Sequence, residues 1–529
     1  MDAALPRATT RHPLQWLRPI FALGTPLVAW FLIYNVMSIV AVGVLGRLGN
    51  VAIAGVGVAS AIYAAITALL NGVDTGVQAI VSRTTGAGRA GRIADVLAAA
   101  HAGAIPLAIA VGAVTWALGP SLVALVLPDR GAAAAGGAWI QAAAPTTVLL
   151  AITLPINAAW IGSGRPAIAM AVTAISAPLQ IALTFAFVLG VGPLHGLGAA
   201  GSALAMGATM LAGTVAQVIL AFLLAPGFLR VRPRLQGVAE ILAIGWPISA
   251  QQSLLQVALM GVFAVIAQLG AASAAIANVL LTLTGFPTQF GTGLGIAAAT
   301  LTGQALGRGD PDEARAWGWR ATAVCVALTA PMGFALGLAP ETMLAPFLRD
   351  PATLAMAILP ARIAGFGVAI GCAANVLGFA FRGAGATKIA AAVPFVSLWF
   401  VQLPLMAWIG LSLHGGLTGI IWVLTGVSVA DLLVLALLWA GGSWTRVWIA
   451  TAAAPVALPA PLRRIAILRR RGGQVHAGAP SGQSARPPGD PPRSPCLRPG
   501  VDSPQRLRLA GGAGARARSW SVGGRGNLR

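Results

Sequence analysis

Long stretches without a charged residue recur along this chain, and their lengths set the architecture. A spanning helix needs about 20 apolar residues. Ile20–Gly46 is free of Asp, Glu, Lys and Arg and holds one span; Leu48–Ser82, interrupted only by Asp74, holds a second. Val96–Pro128 and Gly131–Gly164 hold one each. Pro166–Leu229 is 64 residues, enough for two with a break at Gly190–Gly198. Ile241–Gly307, 67 residues, again holds two, broken near Gly270. Ala321–Pro340 and Ile363–Phe381 give one each, and Ile389–Thr445, interrupted only by Asp431, gives two broken at His414–Gly416. The pattern predicts an all-α polytopic membrane protein with twelve transmembrane helices. Strand-length alternation is absent, which excludes a β-barrel. The first span is too long for a signal peptide and is expected to stay in the mature chain.

Composition agrees with the pattern. The 529 residues are 57% hydrophobic and only 9% charged, against about 25% charge in a soluble domain. Mean hydropathy is +0.83. Such a chain cannot cover itself with a water-compatible surface, which excludes soluble enzymes, secreted disulfide scaffolds and helical nucleic-acid binders. Cys325, Cys372 and Cys496 lie far apart with no CxxC or metal-ligand spacing, so neither a disulfide framework nor a metal site is expected. The loops are short and the five histidines (His12, His101, His195, His414, His476) are scattered. No catalytic residue and no cofactor follow from this pattern; the protein reads as a non-enzyme.

The net charge of +21 divides unevenly. Fifteen of the 34 basic residues lie from Arg446 onward, with only Asp490 and Asp502 against them. Residues 442–529 therefore form a basic tail, rich in Pro, Gly, Ala, Ser and Arg from about 469 and expected to be disordered there. No function and no nucleic-acid partner is assigned to it. The remaining arginines orient the bundle. Loops after even-numbered spans carry twelve basic residues, from Arg83 to Lys388, whereas odd-numbered loops carry only Arg47, Arg130, Arg349 and Arg362. With Arg7, Arg11 and Arg18, this bias places both termini in the cytoplasm; the membrane is expected to be a bacterial-type inner membrane.

The two halves match at an offset of 221 residues. Pro26 maps to Pro247, Gly72 to Gly293, Gly86-x-Gly88 to Gly307-x-Gly309, Asp129 to Asp350, and Gly162-x-Gly164 to Gly383-x-Gly385. Six spans per repeat is an even number, so the repeats are parallel, related by an axis along the membrane normal. Residues 1–18 precede an N-terminal six-helix lobe (19–229), followed by a C-terminal six-helix lobe (230–441). Tandem six-helix lobes are the architecture of alternating-access carriers, with the substrate path between them near the midplane.

The segments GRLGNVAIAGVGVAS (46–60), GVDTGVQAIVSRTTGAGR (72–89), GLGIAAATLTGQALGRGDPDEA (293–314) and FRGAGATK (381–388) resemble the MATE (multidrug and toxic compound extrusion) family. That family belongs to the multidrug/oligosaccharidyl-lipid/polysaccharide superfamily. The resemblance covers roughly residues 20–441. It implies an antiporter that exports organic, cationic compounds in exchange for H⁺ or Na⁺, with two lobes rocking about a central cavity. It implies small-molecule substrates, contact with membrane lipid and a monomeric protein. The alternative is a flippase or exporter of a lipid-linked saccharide or other amphipathic metabolite; the absence of midplane Lys or Arg disfavours a pyrophosphate ligand. The sequence departs from the family where the coupling acids usually stand. Ser38 or Ala41 takes the place of the first-span Asp, Leu255–Gln256 the place of the seventh-span Glu, and Ala386 the place of the acid in the RGAGDT-like turn.

An ionisable group in hydrocarbon is a functional candidate because burying it costs about 2.5–3.5 kcal/mol or more. Asp74 and Asp431 are the two acids so placed, and both are candidate ion-coupling residues. Asp74 lies nine residues before Arg83, about 13 Å along a helix. Thr67, Asn71, Asp74 and Gln78 share one helical face as a polar stripe, the setting of a carboxylate that holds a proton or helps ligate Na⁺. The competing reading is a carboxylate bonded structurally within its lobe, and for Asp431, with Ser428 on its face, that reading is the stronger. Tyr34, Asn35, Asn71, Gln78, Asn157, Gln256, Asn278 and Gln289 are the candidate cavity-lining residues. Trp30, Trp160, Phe286, Phe290 and Trp422 are further aromatics able to hold a cation over their faces.

Overall fold

The computed structural model describes residues 15–191, 194–224, 235–348, 350–442 and 444. These all fall within one compact unit, Met1–Leu462; a second unit, Arg463–Arg529, lies outside the described residues, as do the expected disordered segment and most of the basic tail.

The described residues are almost wholly helical. The N-terminal lobe comprises α1 (Leu17–Gly46), α2 (Asn50–Thr67), α3 (Asn71–Gly86), α4 (Ile93–Val126), α5 (Arg130–Ala143), α6 (Thr146–Gly162), α7 (Pro166–Leu189) and α8 (Gly198–Leu224). The C-terminal lobe comprises α9 (Leu235–Ala267), α10 (Ala271–Gly307), α11 (Pro311–Leu338), α12 (Pro340–Leu344), α13 (Pro351–Gly383), α14 (Thr387–Val396), α15 (Leu403–Ala407) and α16 (Gly416–Ala440). Two two-residue strands, β1 (Gly190–Val191) and β2 (Leu194–His195), pair antiparallel in the α7–α8 connection.

Ten of the described helical segments are long and apolar enough to cross a membrane, eleven when α5 and α6 are taken as one bent span. The twelfth expected span is α10, 37 residues without a charge, whose Asn278, Gln289, Gln304 and many threonines and glycines dilute its apolarity. The protein is therefore an integral membrane protein of twelve spans in two parallel six-helix repeats.

Three spans are broken. A 3-10 turn at Ala68–Leu70 separates α2 from α3. The chain bends by 50° between α5 and α6, at Pro145, which lacks the N–H an uninterrupted helix would need. In the eleventh span, π-helical turns at Ser397–Gln402 and Trp408–Ser412 flank α15, and each follows a proline, Pro394 or Pro404, that disrupts the ladder in the same way. The repeat extends to the caps. Asp129 accepts a hydrogen bond from the Ala132 N–H (2.8 Å), starting α5, and its repeat-mate Asp350 accepts from the Thr353 N–H (2.9 Å), starting α13. Thr353 donates through both its backbone and its hydroxyl, which holds the Asp350 carboxyl below the usual carboxylate range.

The lobes meet at the end of the bundle that carries the arginine-rich loops. Ile20, Leu23 and Leu27 of α1 and Ile161 of α6 form one buried cluster with Leu294 and Leu301 of α10. Hydrogen bonds cross between lobes in the same region. The Gln78 amide donates to Ile296 O (3.2 Å) and Thr300 Oγ1 (3.1 Å), and the Gln304 amide donates to Gly162 O (3.1 Å). Ser249 Oγ donates to Leu69 O (2.6 Å) and accepts from the Gly72 N–H (3.1 Å). Such bonds average about 0.6 kcal/mol each in a membrane, so several together help hold this end closed.

Candidate functional site

Above this closed end, a cavity of about 530 Å³ opens within the N-terminal lobe, lined from α1, α2, α3, α5, α6, α7 and α8. That volume suits a drug-sized molecule. None of its lining residues is Asp, Glu, Lys, Arg or His.

Aromatic faces and uncharged polar groups alternate around the wall, and buried bonds fix several of them. Tyr63 bonds Thr146 Oγ1 (2.6 Å) and meets the Trp139 ring edge-on at 5.9 Å. Trp139 Nε1 donates to Ser202 Oγ (3.0 Å). Deeper in, Trp160 Nε1 donates to Gln217 Oε1 (3.0 Å), and the Gln217 amide donates to Asn157 Oδ1 (2.7 Å). This chain locks Asn157 and Gln217, both cavity-lining, in one orientation. Tyr34, by contrast, is 64% exposed and available to a ligand. Asn157→Leu removes the acceptor that Gln217 uses. It is expected to cost about 0.6–1.7 kcal/mol, seen as a lower unfolding temperature of the purified protein, together with weaker dye binding by fluorescence titration.

Of the expected cavity residues, the structure brings Tyr34, Asn71 and Asn157 together on this one wall, with Trp30 beside them. Asn35 turns back on its own helix, its amide donating to Phe31 O (2.9 Å). Gln78 lies in the lobe seal rather than the cavity, because it stands seven residues, about 10 Å of helix, beyond Asn71. Gln256, Asn278 and Gln289 belong to the C-terminal lobe and are not among the lining residues, and Asn278 is exposed. Trp160 is buried to 1% exposure and serves the wall from behind. Phe286 and Phe290 pair edge to face, and Trp422 is exposed on α16. The hydroxyls of α7 (Thr173, Ser176 and Thr184) are lining residues outside the expected set. Thr173, Ser176, Gln180 and Thr184 all line the cavity, and their i, i+3, i+7, i+11 spacing within an apolar span is the signal that identifies them.

The stripe of Thr67, Asn71, Asp74 and Gln78 is divided by the 3-10 turn. Thr67 ends α2, donating to Tyr63 O (2.8 Å), and Thr67 and Asn71 line the cavity floor. One turn further along α3, Asp74 is half-buried between that floor and the Gln78 bonds of the seal. The charge that acts on it belongs to the opposite lobe: Arg382, in the last turn of α13. Asp431 on α16 is also half-buried, and Ser397 Oγ, at the start of a π-helical turn, donates to its carboxylate. Asp74 and Asp431 are thus in different lobes and different surroundings.

Twelve spans in paired lobes, closed at one end over a cavity built of rings, hydroxyls and amides, make a polytopic membrane carrier. The chain belongs to the MatE family, whose sequence profile matches twice, at residues 26–186 and 247–408, with starts 221 residues apart. It is 25% identical over 445 residues to the probable multidrug resistance protein NorM of Burkholderia mallei, an alignment covering 82% of this chain and 93% of that protein. It is 28% identical over 412 residues to the probable multidrug resistance protein NorM of Bradyrhizobium diazoefficiens, covering 74% and 86%. Among solved structures, the eukaryotic MATE transporter AtDTX14 matches with TM-score 0.73 at 16% identity, covering 82% of this chain and 97% of that one. A MOP superfamily transporter from Pyrococcus furiosus matches with TM-score 0.72 at 16% identity, covering 80% and 96%. These two likenesses are of fold.

Proposed function

We propose that the protein is a secondary-active multidrug exporter that binds organic compounds in the N-terminal-lobe cavity and exchanges them for H⁺ or Na⁺ by alternating access. The observation that carries this reading is a cavity of rings, hydroxyls and amides with no charged lining residue, one of whose lining residues, Asn71, stands one helical turn before the half-buried Asp74. Substrate and ion then converge on one helix, and the helix belongs to the interface that must open.

The lining defines the substrate class. Ring faces of Trp30, Tyr34 and Trp139 stack planar aromatics and attract an organic cation. The hydroxyls and amides of α6, α7 and α8 offer hydrogen bonds without committing to one charge. A wall without Lys or Arg does not favour a pyrophosphate-bearing lipid. The relatives from Burkholderia mallei and Bradyrhizobium diazoefficiens carry the name multidrug resistance protein, which agrees with this class. The arginine bias supports a cytoplasmic position for the sealed end and both termini, the membrane being read as a bacterial-type inner membrane, and on that reading the cavity is the outward-facing one. The protein acts as a monomer in contact with lipid, and Asp431 is the second candidate coupling acid.

Inverted membrane vesicles containing the protein are expected to accumulate a fluorescent organic cation when a gradient is imposed and to lose it when an ionophore collapses that gradient. Accumulation equal to vesicles without the protein, under both pH and Na⁺ gradients, would remove the exporter reading.

A further inference from the structure

The hydroxyls of the cavity wall are polar in one sense only. A serine or threonine inside a helix commonly turns its hydroxyl back on a carbonyl one turn before it. A carbonyl oxygen can only accept, so in each such bond the hydroxyl is the donor. On α7, Thr173 donates to Ala169 O (3.2 Å), Ser176 to Val172 O, and Thr184 to Gln180 O (2.7 Å). On α8, Ser202 donates to Ala199 O (2.9 Å), Thr209 to Ala205 O (2.9 Å) and Thr214 to Met210 O (2.7 Å). On α2, Ser60 donates to Gly57 O (2.9 Å) and Thr67 to Tyr63 O (2.8 Å). Each of these hydroxyl-bearing residues lines the cavity.

Elimination settles the hydroxyls that bond one another. Thr146 Oγ1 donates to Ala143 O (2.6 Å), so in its 2.6 Å bond with Tyr63 the tyrosine is the donor. Thr214 has given its proton to Met210 O, so Thr153 is the donor in the 2.7 Å Thr153–Thr214 bond. Among the described residues, the lining hydroxyls that give no proton to the protein are those of Tyr34 and Ser38, both on α1. The side-chain amides of Asn71, Asn157, Gln180 and Gln217 carry as many N–H groups as lone pairs and do not tip the balance. The wall therefore offers lone pairs in excess of protons.

We infer that this wall selects its ligands by the hydrogens they can give, favouring an aromatic molecule whose polar end carries N–H donors, above all a protonated amine, over the quaternary ammonium of the same charge. The inference rests on the exporter reading above and names the substrate class of that same cavity. A hydroxyl oxygen that has donated its proton keeps lone pairs to offer, and the bond it has made polarises it into a better acceptor. Thr173 and Ser176 are half-buried members of the α7 wall. They stand at i and i+3, neighbours on one helical face about 5–6 Å apart, a spacing at which one ammonium group can reach both oxygens. A bond from an ionised donor is about twice as strong as one between neutral groups. A quaternary ammonium carries its charge behind methyl groups and leaves those lone pairs unmet when it displaces water from them. Ring faces acting alone lead to the opposite order. They attract any cation, and every N-methyl group adds apolar area, which strengthens binding in a cavity that recognises charge and surface only.

Pyrene dyes that differ only at the end of an alkyl arm separate the two orders: a primary ammonium, a dimethylammonium that keeps a single N–H, and a trimethylammonium that has none. Binding to the protein in lipid nanodiscs is read by fluorescence anisotropy, net of empty nanodiscs, with no gradient imposed. The pH is held at about 7, where alkylamines are protonated. Affinity is expected to fall along the series, by about tenfold or more from the primary to the trimethyl dye. Thr173→Val combined with Ser176→Ala removes two acceptors together with back-bonds that a helix does not need, and should narrow that ratio to about threefold or less. Thr173→Ser keeps the hydroxyl and should keep the wild-type ratio. Affinities that are equal along the series, or that rise with methylation, overturn the inference, as does an unchanged ratio in the double variant or failure of all the dyes to bind. Export from inverted vesicles keeps the two readings apart. Gradient-driven accumulation of dyes that bind equally well loses the acceptor wall and keeps the exporter, whereas graded binding without accumulation keeps the wall and loses the exporter.

Discussion

Asp74→Asn is expected to reduce gradient-driven dye accumulation in inverted vesicles to the level of vesicles lacking the protein, with expression and dye binding near wild type. The amide keeps the size of the side chain and its capacity for hydrogen bonds but cannot exchange a proton. An exporter driven by an ion gradient must contain a group whose charge or ligation differs between its two facing states, because a ligand shifts an equilibrium only through differential affinity. In the N-terminal lobe, Asp74 is a half-buried carboxylate within a spanning segment, three residues after the cavity-lining Asn71 and four before Gln78 of the seal. Binding should survive because the cavity wall is made without it. Near-normal accumulation by a well-expressed variant would assign Asp74 to scaffold, and Asp431→Asn would become the variant to measure.

Gly307→Leu should be nearly as damaging, through packing rather than charge. Gly307 on α10 sits against the Arg83 carbonyl of α3, and its repeat-mate Gly86 on α3 sits against the Gln304 carbonyl of α10. Any Cβ at either position meets main chain, which cannot rotate away. Overpacking of this kind costs about 1–3 kcal/mol. Here the cost falls on the closed arrangement alone, because the two surfaces belong to different lobes. The equilibrium should move toward the open seal by about 5- to 150-fold, and export should fall by at least about tenfold. The check is alkylation of Ala87→Cys by a membrane-impermeant thiol reagent applied from the arginine-rich side, which should quicken in Gly307→Leu. Gly57→Ala on α2, where a Cβ meets nothing within 4 Å, serves as the control and should leave both readouts unchanged. Unaltered alkylation in Gly307→Leu would show that the close approach at the seal persists through the transport cycle.

How much of this was legible in the sequence differs from one feature to the next, for physical reasons. The spans were legible because hydrocarbon thickness imposes a length and forbids charge, so Ile20–Gly46 or Pro166–Leu229 could be divided by counting. The family resemblance rested on GxG turns that recur at a fixed offset, and the match of the MatE profile to both halves has the same spacing. The break at Ala68–Leu70 was not legible: Ala, Leu and Leu are ordinary helical residues, and the 3-10 turn there answers to packing of the opposite lobe, where Ser249 bonds Leu69 O. The helical face of Gln78 is that of Asn71, which predicts a place in the cavity. Face does not encode depth, and seven residues carry it into the seal. By sequence position Arg83 and Arg382 are loop cations that orient the bundle, whereas in the fold both are half-buried, Arg83 against the Gly385 turn of the opposite lobe and Arg382 over Phe379. Their positions in the last turns of α3 and α13, beside the GxG turns, carry that signal, but only the fold shows how deeply each is buried.

The central claim is antiport, and its most direct measurement is reciprocal. Purified protein is reconstituted into liposomes with a fluorescent pH reporter or a Na⁺ reporter inside, and an outward gradient of an organic cation dye is imposed with no ion gradient. Efflux of dye should pull the coupling ion inward, so that either the lumen acidifies or luminal Na⁺ rises, and Asp74→Asn liposomes should show neither change. Dye that leaves at the same protein-dependent rate while both reporters stay flat would contradict the account, because the protein would then be a uniporter.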